Sequence, residues 1–142
     1  DFALFHPGGA LGRKLLTRVR DVMGTGESLP VVHEGVSVKD ALFVITSKGY
    51  GAVCVVDIEV KLTGIFTDGD LRRLMERLGN GAFDTLIQDA MTKTPKTISP
   101  DALAAEAVRT MERKEVSVLI AVEAEKPVGI IHIHELLKAG IA

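Results

Sequence analysis

The sequence predicts a mixed fold of helices and strands, α/β (α+β), in which a β-α-β-β-α unit of about 60 residues occurs twice. An amphipathic-helix pattern occurs twice in the chain, and the same sequence of elements follows it each time. After each of these helices come a short apolar run, a charged turn and a second apolar run that contains a glycine. We therefore expect two small sheets that pack together, with helices outside.

The first helix of each unit has apolar residues at i, i+3, i+4 and i+7, which is the spacing of one helix face. These stripes consist of Val38, Ala41, Leu42 and Ile45 in the first unit, and Ala104, Ala107, Val108 and Met111 in the second.

The apolar runs after these helices, residues 52–56 and 118–122, are rich in β-branched residues and have no polar alternation. Such runs are typical of interior strands that are buried on both faces. Residues 62–66 and 128–131 predict the following strands, with Gly64 and Gly129 in matching places.

Thr67 and Asp70 stand where the third strand of the first unit gives way to a helix. Thr67 is the expected N-cap, and Asp70 has the capping-box spacing. Two interpretations remain open. The pair could serve only to start the helix, or its hydroxyl and carboxylate could join the free helix N–H groups to hold a sugar hydroxyl or a phosphate.

The predicted domain bounds are 1–17 for a linker, 18–82 for the first unit and 83–142 for the second. A single unit of this size would bury only ~60% of its unfolded surface, so we expect the two to share a core. The connection contains Phe83, Leu86 and Ile87, apolar residues that we expect to be buried.

Composition excludes several classes of function for this chain of 142 residues. A net charge of −2 and a pI near 6.1 give no electrostatic footprint for nucleic acid or an anionic membrane. The sequence shows neither a spanning apolar stretch nor a signal peptide. Cys54 lies in an apolar run and predicts a buried thiol in a reducing compartment, hence a cytoplasmic location. The start at Asp1 suggests a piece of a longer protein.

Metal ligands are sparse. His132 and His134 are expected on opposite faces of an extended segment without a third ligand nearby. Asp68 and Asp70 resemble the start of a calcium loop, but no further oxygen ligands follow. We therefore expect no metal site.

The two units resemble a pair of CBS domains over residues 18–142. The resemblance rests on Asp21-Val22-Met23 and Asp89-Ala90-Met91, which open the units, and on Gly64-Ile65-Phe66-Thr67-Asp68-Gly69-Asp70. It implies a regulatory module that binds adenosine nucleotides or related ligands in clefts between the units.

The ribose-contact pattern of that family, Thr/Ser-x-x-Asp, falls on Thr67 and Asp70, and the resemblance implies a ligand held between these residues, Ala52 and Val53. The second unit has His132 and Glu135 at the matching positions. We therefore expect two unequal clefts.

Residues 1–16 belong to neither repeat. With the paired units they resemble arabinose 5-phosphate isomerases, in which a sugar isomerase (SIS) domain precedes two CBS domains. This likeness implies that the full protein interconverts ribulose 5-phosphate and arabinose 5-phosphate, which supplies Kdo for lipopolysaccharide. His6 would then reach the isomerase active site, although before Pro7 it could equally cap a turn.

The implied function is regulation by a nucleotide or nucleotide sugar, such as CMP-Kdo or an adenine nucleotide. The implied partners are the chain's own SIS domain and further copies of the chain. The isolated pair would not catalyse. The alternative is an oligomerisation module without a ligand.

Overall fold

Two three-stranded sheets, one from each predicted unit, form the centre of the computed structural model, which describes residues 15–142. His6 and most of the predicted linker lie outside the described residues. The domain bounds inferred from the sequence stay a prediction.

The elements follow the predicted order in both units. The first unit contains β1 (Val31–His33), α2 (Val38–Lys48), β2 (Ala52–Val56), β3 (Leu62–Thr67) and α3 (Asp68–Leu78), preceded by α1 (Val19–Val22). The second contains β4 (Thr97–Ile98), α5 (Ala104–Lys114), β5 (Val118–Glu123), β6 (Lys126–His132) and α6 (Ile133–Lys138), preceded by α4 (Ile87–Ala90). Short 3-10 helices lie at Gly26–Ser28 and Gly79–Asp84.

Both sheets have the same topology. The second strand lies in the middle, parallel to the first strand and antiparallel to the third. The pairing of the two antiparallel strands shifts register at matching positions, between Val55 and Val56 in the first sheet and between Ala121 and Val122 in the second. The predicted repeat is therefore confirmed in structural detail.

The two sheets pack face to face through a shared apolar core. Ala52, Cys54 and Ile65 come from the first sheet, and Ile120 and Ile130 from the second. The opposite face of each sheet packs on the helices of its own unit. This arrangement confirms the prediction that the two units bury a common core.

The segments at the start of the two predicted units each pack on the other unit. We call residues 17–24 and 85–92 the first and second crossing segments. Val19 lies in the helix-facing core of the second unit, and its N–H donates to the Ala102 carbonyl at 2.9 Å. Ile87 lies in the corresponding core of the first unit, and its N–H donates to the Val36 carbonyl at 2.8 Å. Each crossing segment thus ties the two units together.

The methionines of the D-x-M tripeptides explain the matching glycines. Met23 lies over Gly129 in β6, and Met91 lies over Gly64 in β3, so that a Cβ on either glycine would overlap the methionine sulfur. The expectation for Leu86 was wrong, because its side chain is 42% exposed while neighbouring Ile87 fills the core.

Candidate functional site

The capping box predicted at Thr67 and Asp70 is present where β3 ends and α3 begins. The Asp70 N–H donates to Thr67 Oγ1 at 3.1 Å, and the Thr67 N–H donates to Asp70 Oδ2 at 3.0 Å. Both helix-start groups are therefore fixed in place, with the Asp70 side chain only 12% exposed.

The Asp70 carboxylate accepts two further hydrogen bonds from side chains. Arg73 Nη2 donates to Oδ1 at 2.7 Å, and the Thr92 hydroxyl lies 3.3 Å from Oδ1 and 3.4 Å from Oδ2. Thr92 belongs to the second crossing segment, where its backbone pairs with that of Ile65. Thr92 was not among the residues predicted from the sequence, although its place directly after the second D-x-M tripeptide could have indicated it.

These residues line a cavity of about 210 Å³ between the two units, which we call the first cleft. Thr67 and Asp70 form one wall. Val116 and Val118 of the second unit form the other, and Lys96 lies at the same cavity. The cleft thus offers an apolar surface, a carboxylate, a hydroxyl and a cation.

A second cavity of about 390 Å³ adjoins the first cleft and shares Thr67 and Arg73 with it. We call it the central cavity. Gly51, Ser117 and His132 also line it, so that it too lies between the units. Arg73 stands between the two cavities, where its guanidinium can meet an anionic group from either side.

Ala52 and Val53 lie beside this region without lining it. Both side chains are 0% exposed and point to opposite faces of β2, Ala52 into the core between the sheets and Val53 toward the helices. Neither contributes to the wall of the first cleft or the central cavity. Gly51, one residue earlier, is the part of this segment that reaches the central cavity.

The matching place in the second unit has different chemistry. His132 is the N-cap of α6, and its Nδ1 accepts a hydrogen bond from the His134 N–H at 3.1 Å. Within the described part of the chain, the buried Oε1 of Glu135 has no hydrogen-bond partner. Burial, followed by the charge of His134, lowers the pKa of His132 below its ordinary value, while Glu135 acts in the opposite direction.

The expectation that His132 and His134 lie on opposite faces was wrong. Because a helix begins at Ile133, the two rings come to 4.4 Å between their centroids. Residues 15–142 nevertheless contain no group of three or more His, Cys, Asp or Glu side chains arranged to hold a metal ion.

A larger groove, of about 700 Å³, lies elsewhere. It runs along the outer side of α2 and the 3-10 helix Gly79–Asp84, with Phe43 and Phe83 in its wall. Phe43 is 67% exposed. We favour the smaller first cleft as the ligand site, because the groove lacks a carboxylate and hydroxyl held together by a capping box.

Two β-α-β-β-α units that pack sheet to sheet, with clefts between them, define a tandem-repeat module. Residues 19–77 and 87–142 match the CBS domain family, and the chain belongs to that family. This confirms the resemblance inferred from the D-x-M tripeptides. None of the helices within residues 15–142 is both long and apolar enough to cross a membrane.

Among curated proteins, the chain is 49% identical over 142 residues to arabinose 5-phosphate isomerase KdsD of Pseudomonas aeruginosa. The match covers 99% of this chain and 43% of that protein, so the chain spans less than half the length of this relative.

Two solved structures are also similar. A CBS-domain containing protein of Agrobacterium tumefaciens superposes with a TM-score of 0.79 at 25% identity, covering 89% of this chain and 96% of the other. CBSX2 in complex with AMP superposes with a TM-score of 0.75 at 26% identity, covering 88% and 96%.

Proposed function

We propose that this CBS pair binds a nucleotide in the first cleft and thereby regulates the isomerase domain of a longer protein. That protein would interconvert ribulose 5-phosphate and arabinose 5-phosphate, the activity named for its relative KdsD. The observation that carries the proposal is the Asp70 carboxylate, nearly buried in the wall of a cavity between the units.

A carboxylate in this position suits the two vicinal hydroxyls of a ribose. When a ribose binds, Oδ2 would keep its hydrogen bond from the Thr67 N–H. The ribose hydroxyls would most easily replace the Thr92 hydroxyl, whose contacts with the carboxylate are long. Hydrogen bonds to a charged group contribute roughly 1.5–3 kcal/mol each when well formed. The capping box keeps the carboxylate in place before the ligand arrives, which reduces the entropy cost of binding.

Arg73 and Lys96 support the nucleotide class of ligand. Both are cations at the first cleft, and Arg73 also reaches the central cavity, so a phosphate attached to the ribose would meet positive charge on either side. The structure of CBSX2 with AMP supports an adenine nucleotide. The similarity to KdsD supports a nucleotide sugar of the pathway that its product enters, such as CMP-Kdo, whose sugar would extend into the central cavity.

Binding would change how the two units are held together. The first cleft draws side chains from both units and from the second crossing segment, so a ligand there favours one relative arrangement. The first crossing segment would transmit this change in the arrangement of the units to the SIS domain of the full chain. The proposal includes a cytoplasmic location and assembly of several copies through their CBS pairs.

Crystals of this pair soaked separately with AMP, CMP and CMP-Kdo test the assignment directly. We expect difference density for at least one of them beside Asp70, with ribose oxygens within hydrogen-bond distance of the carboxylate. Density found only in other places, or in none of the soaks, would contradict the ligand site. The isomerase activity of the full-length protein, measured with and without the bound nucleotide, then tests regulation.

One observation favours a second function. The groove around Phe43 is apolar and exposed, which is a common property of surfaces that pair with another protein. If the pair serves mainly for oligomerisation, light scattering will show an assembly that Phe43→Asp dissociates, and titration with nucleotides will give no heat. Dimerisation together with nucleotide binding would fit the first proposal as well.

A further inference from the structure

The first cleft has a counterpart related by the internal repeat, which we call the second cleft. In the first cleft the backbone of Thr92 pairs with Ile65, and in the second cleft the backbone of Gly24 pairs with Ile130 in the same way. The strand registers then match His132 with Thr67 and Tyr50 with Val116.

The two clefts differ at the positions of Val116 and Tyr50, and also at those of Thr92 and Gly24. Val116 lines the open first cleft, where the Thr92 side chain reaches Asp70. In the second cleft Gly24 has no side chain, and a Cβ placed there would overlap the hydroxyl of Tyr50. The phenol thus occupies the space that the threonine side chain fills in the first cleft.

The surroundings of Tyr50 agree with this placement. Its side chain is partly buried, packs on the core between the two sheets and also lines the central cavity. Burial and then the charge of Glu135 raise the pKa of the phenol above its ordinary value, so the hydroxyl lies within electrostatic reach of that carboxylate. Glu135 is the counterpart of Asp70.

We propose that Tyr50 fills the second cleft from within the chain and limits each CBS pair to one nucleotide. This inference rests on the proposed function, since it concerns how many ligands the pair holds. It gives the inequality between the clefts, predicted from His132 and Glu135, a physical cause in Tyr50.

Counting bound AMP by calorimetry or equilibrium dialysis tests the inference on three proteins. The unmodified pair should bind one AMP. Tyr50→Phe, which keeps the ring, should also bind one. Tyr50→Val, which copies Val116, should bind a second AMP more weakly.

Two AMP molecules on the unmodified pair would overturn the inference and leave the proposed function intact. A single AMP on Tyr50→Val would also overturn it, because some other group would then close the second cleft. Failure of all three proteins to bind AMP, CMP or CMP-Kdo would instead count against the proposed function.

A further readout needs no ligand. The chain has one tyrosine and no tryptophan, so phenolate absorbance in the ultraviolet reports on Tyr50 alone. The apparent pKa of this phenol should be lower in Glu135→Gln than in the unmodified pair. Equal values in the two proteins would overturn the placement of the Tyr50 hydroxyl within electrostatic reach of Glu135.

Discussion

Asp70 and Thr92 are in direct contact in the lining of the first cleft, with the threonine hydroxyl 3.3 Å from Oδ1 of the carboxylate. Asp70 lies in the first turn of α3 in the first unit, whereas Thr92 ends the second crossing segment. A ligand that replaces Thr92 as a hydrogen-bond partner of Asp70 therefore breaks a contact between the first unit and the second crossing segment. This contact links the candidate site to the way the pair is held together.

Thr92→Val should tighten nucleotide binding, because the Thr92 hydroxyl competes with the ligand for Asp70. The contacts are long and exposed, so we expect a gain of at most about 1 kcal/mol, or roughly fivefold in Kd. Calorimetry with AMP measures it. Thr92→Ser keeps the hydroxyl and should behave like the unmodified pair. Weaker binding by Thr92→Val would show that Thr92 helps to hold the ligand.

Gly64→Ala should destabilise the fold more than Gly129→Ala. At Gly64 the new Cβ would overlap the Met91 sulfur and also lie 2.8 Å from the Thr92 carbonyl oxygen, which is backbone and cannot move easily. At Gly129 the three nearest atoms all belong to the Met23 side chain. Overpacking of this kind costs about 1–3 kcal/mol. Urea unfolding of both variants gives the order, and a larger loss for Gly129→Ala would contradict it.

His132 should make the fold less stable in mild acid. Because its pKa is lower in the folded than in the unfolded chain, the unfolded state binds more protons as the pH falls below the ordinary value near 6.5. The stability present above that pH is then lost as the pH falls through the folded-state pKa.

His132→Asn is the matched variant, because asparagine can still cap α6. The free energy of unfolding, compared between about pH 7.5 and about pH 5, should fall less in His132→Asn than in the unmodified pair. The other histidines are common to both proteins. The same loss in both would exclude His132 as a source of the pH dependence.

Cys54 should be unreactive in the folded state. Its side chain is fully buried between the sheets, and burial raises the pKa of the thiol to about 12. Little reactive thiolate is then present near neutral pH. A chromogenic disulfide reagent should label Cys54 only when urea unfolds the pair. Rapid labelling without urea would show that the two sheets separate in the native state.

The sequence predicted the repeat, the strand and helix order and the Thr67 capping box because each depends on residues close together in the chain. Periodicity and cap spacing are local signals. The crossing of residues 17–24 and 85–92 onto the opposite units could not be predicted in this way. Each D-x-M tripeptide stands next to one unit in sequence, while its methionine covers a glycine in the other.

Residues of the candidate site could likewise be predicted only where they lie close together in the chain. Thr67 and Asp70 could be predicted as a pair because they share one helix start. Thr92 and Lys96 arrive from a distant segment, and the blocking position of Tyr50 depends on Gly24, 26 residues earlier in the chain. Ala52 and Val53 stay a prediction as ligand contacts; alternation along a fully buried strand places both of their side chains in the cores.

The central claim is that the charge of Asp70 holds the nucleotide. Calorimetric titration with AMP and with CMP-Kdo tests it on Asp70→Asn, which keeps the size of the side chain and an oxygen acceptor. Asp40→Asn removes the same charge from the first turn of α2, away from the first cleft, as the matched control. We predict that Asp70→Asn weakens binding by roughly 10- to 100-fold, while Asp40→Asn leaves the Kd unchanged. Equal affinity of all three proteins would contradict the account.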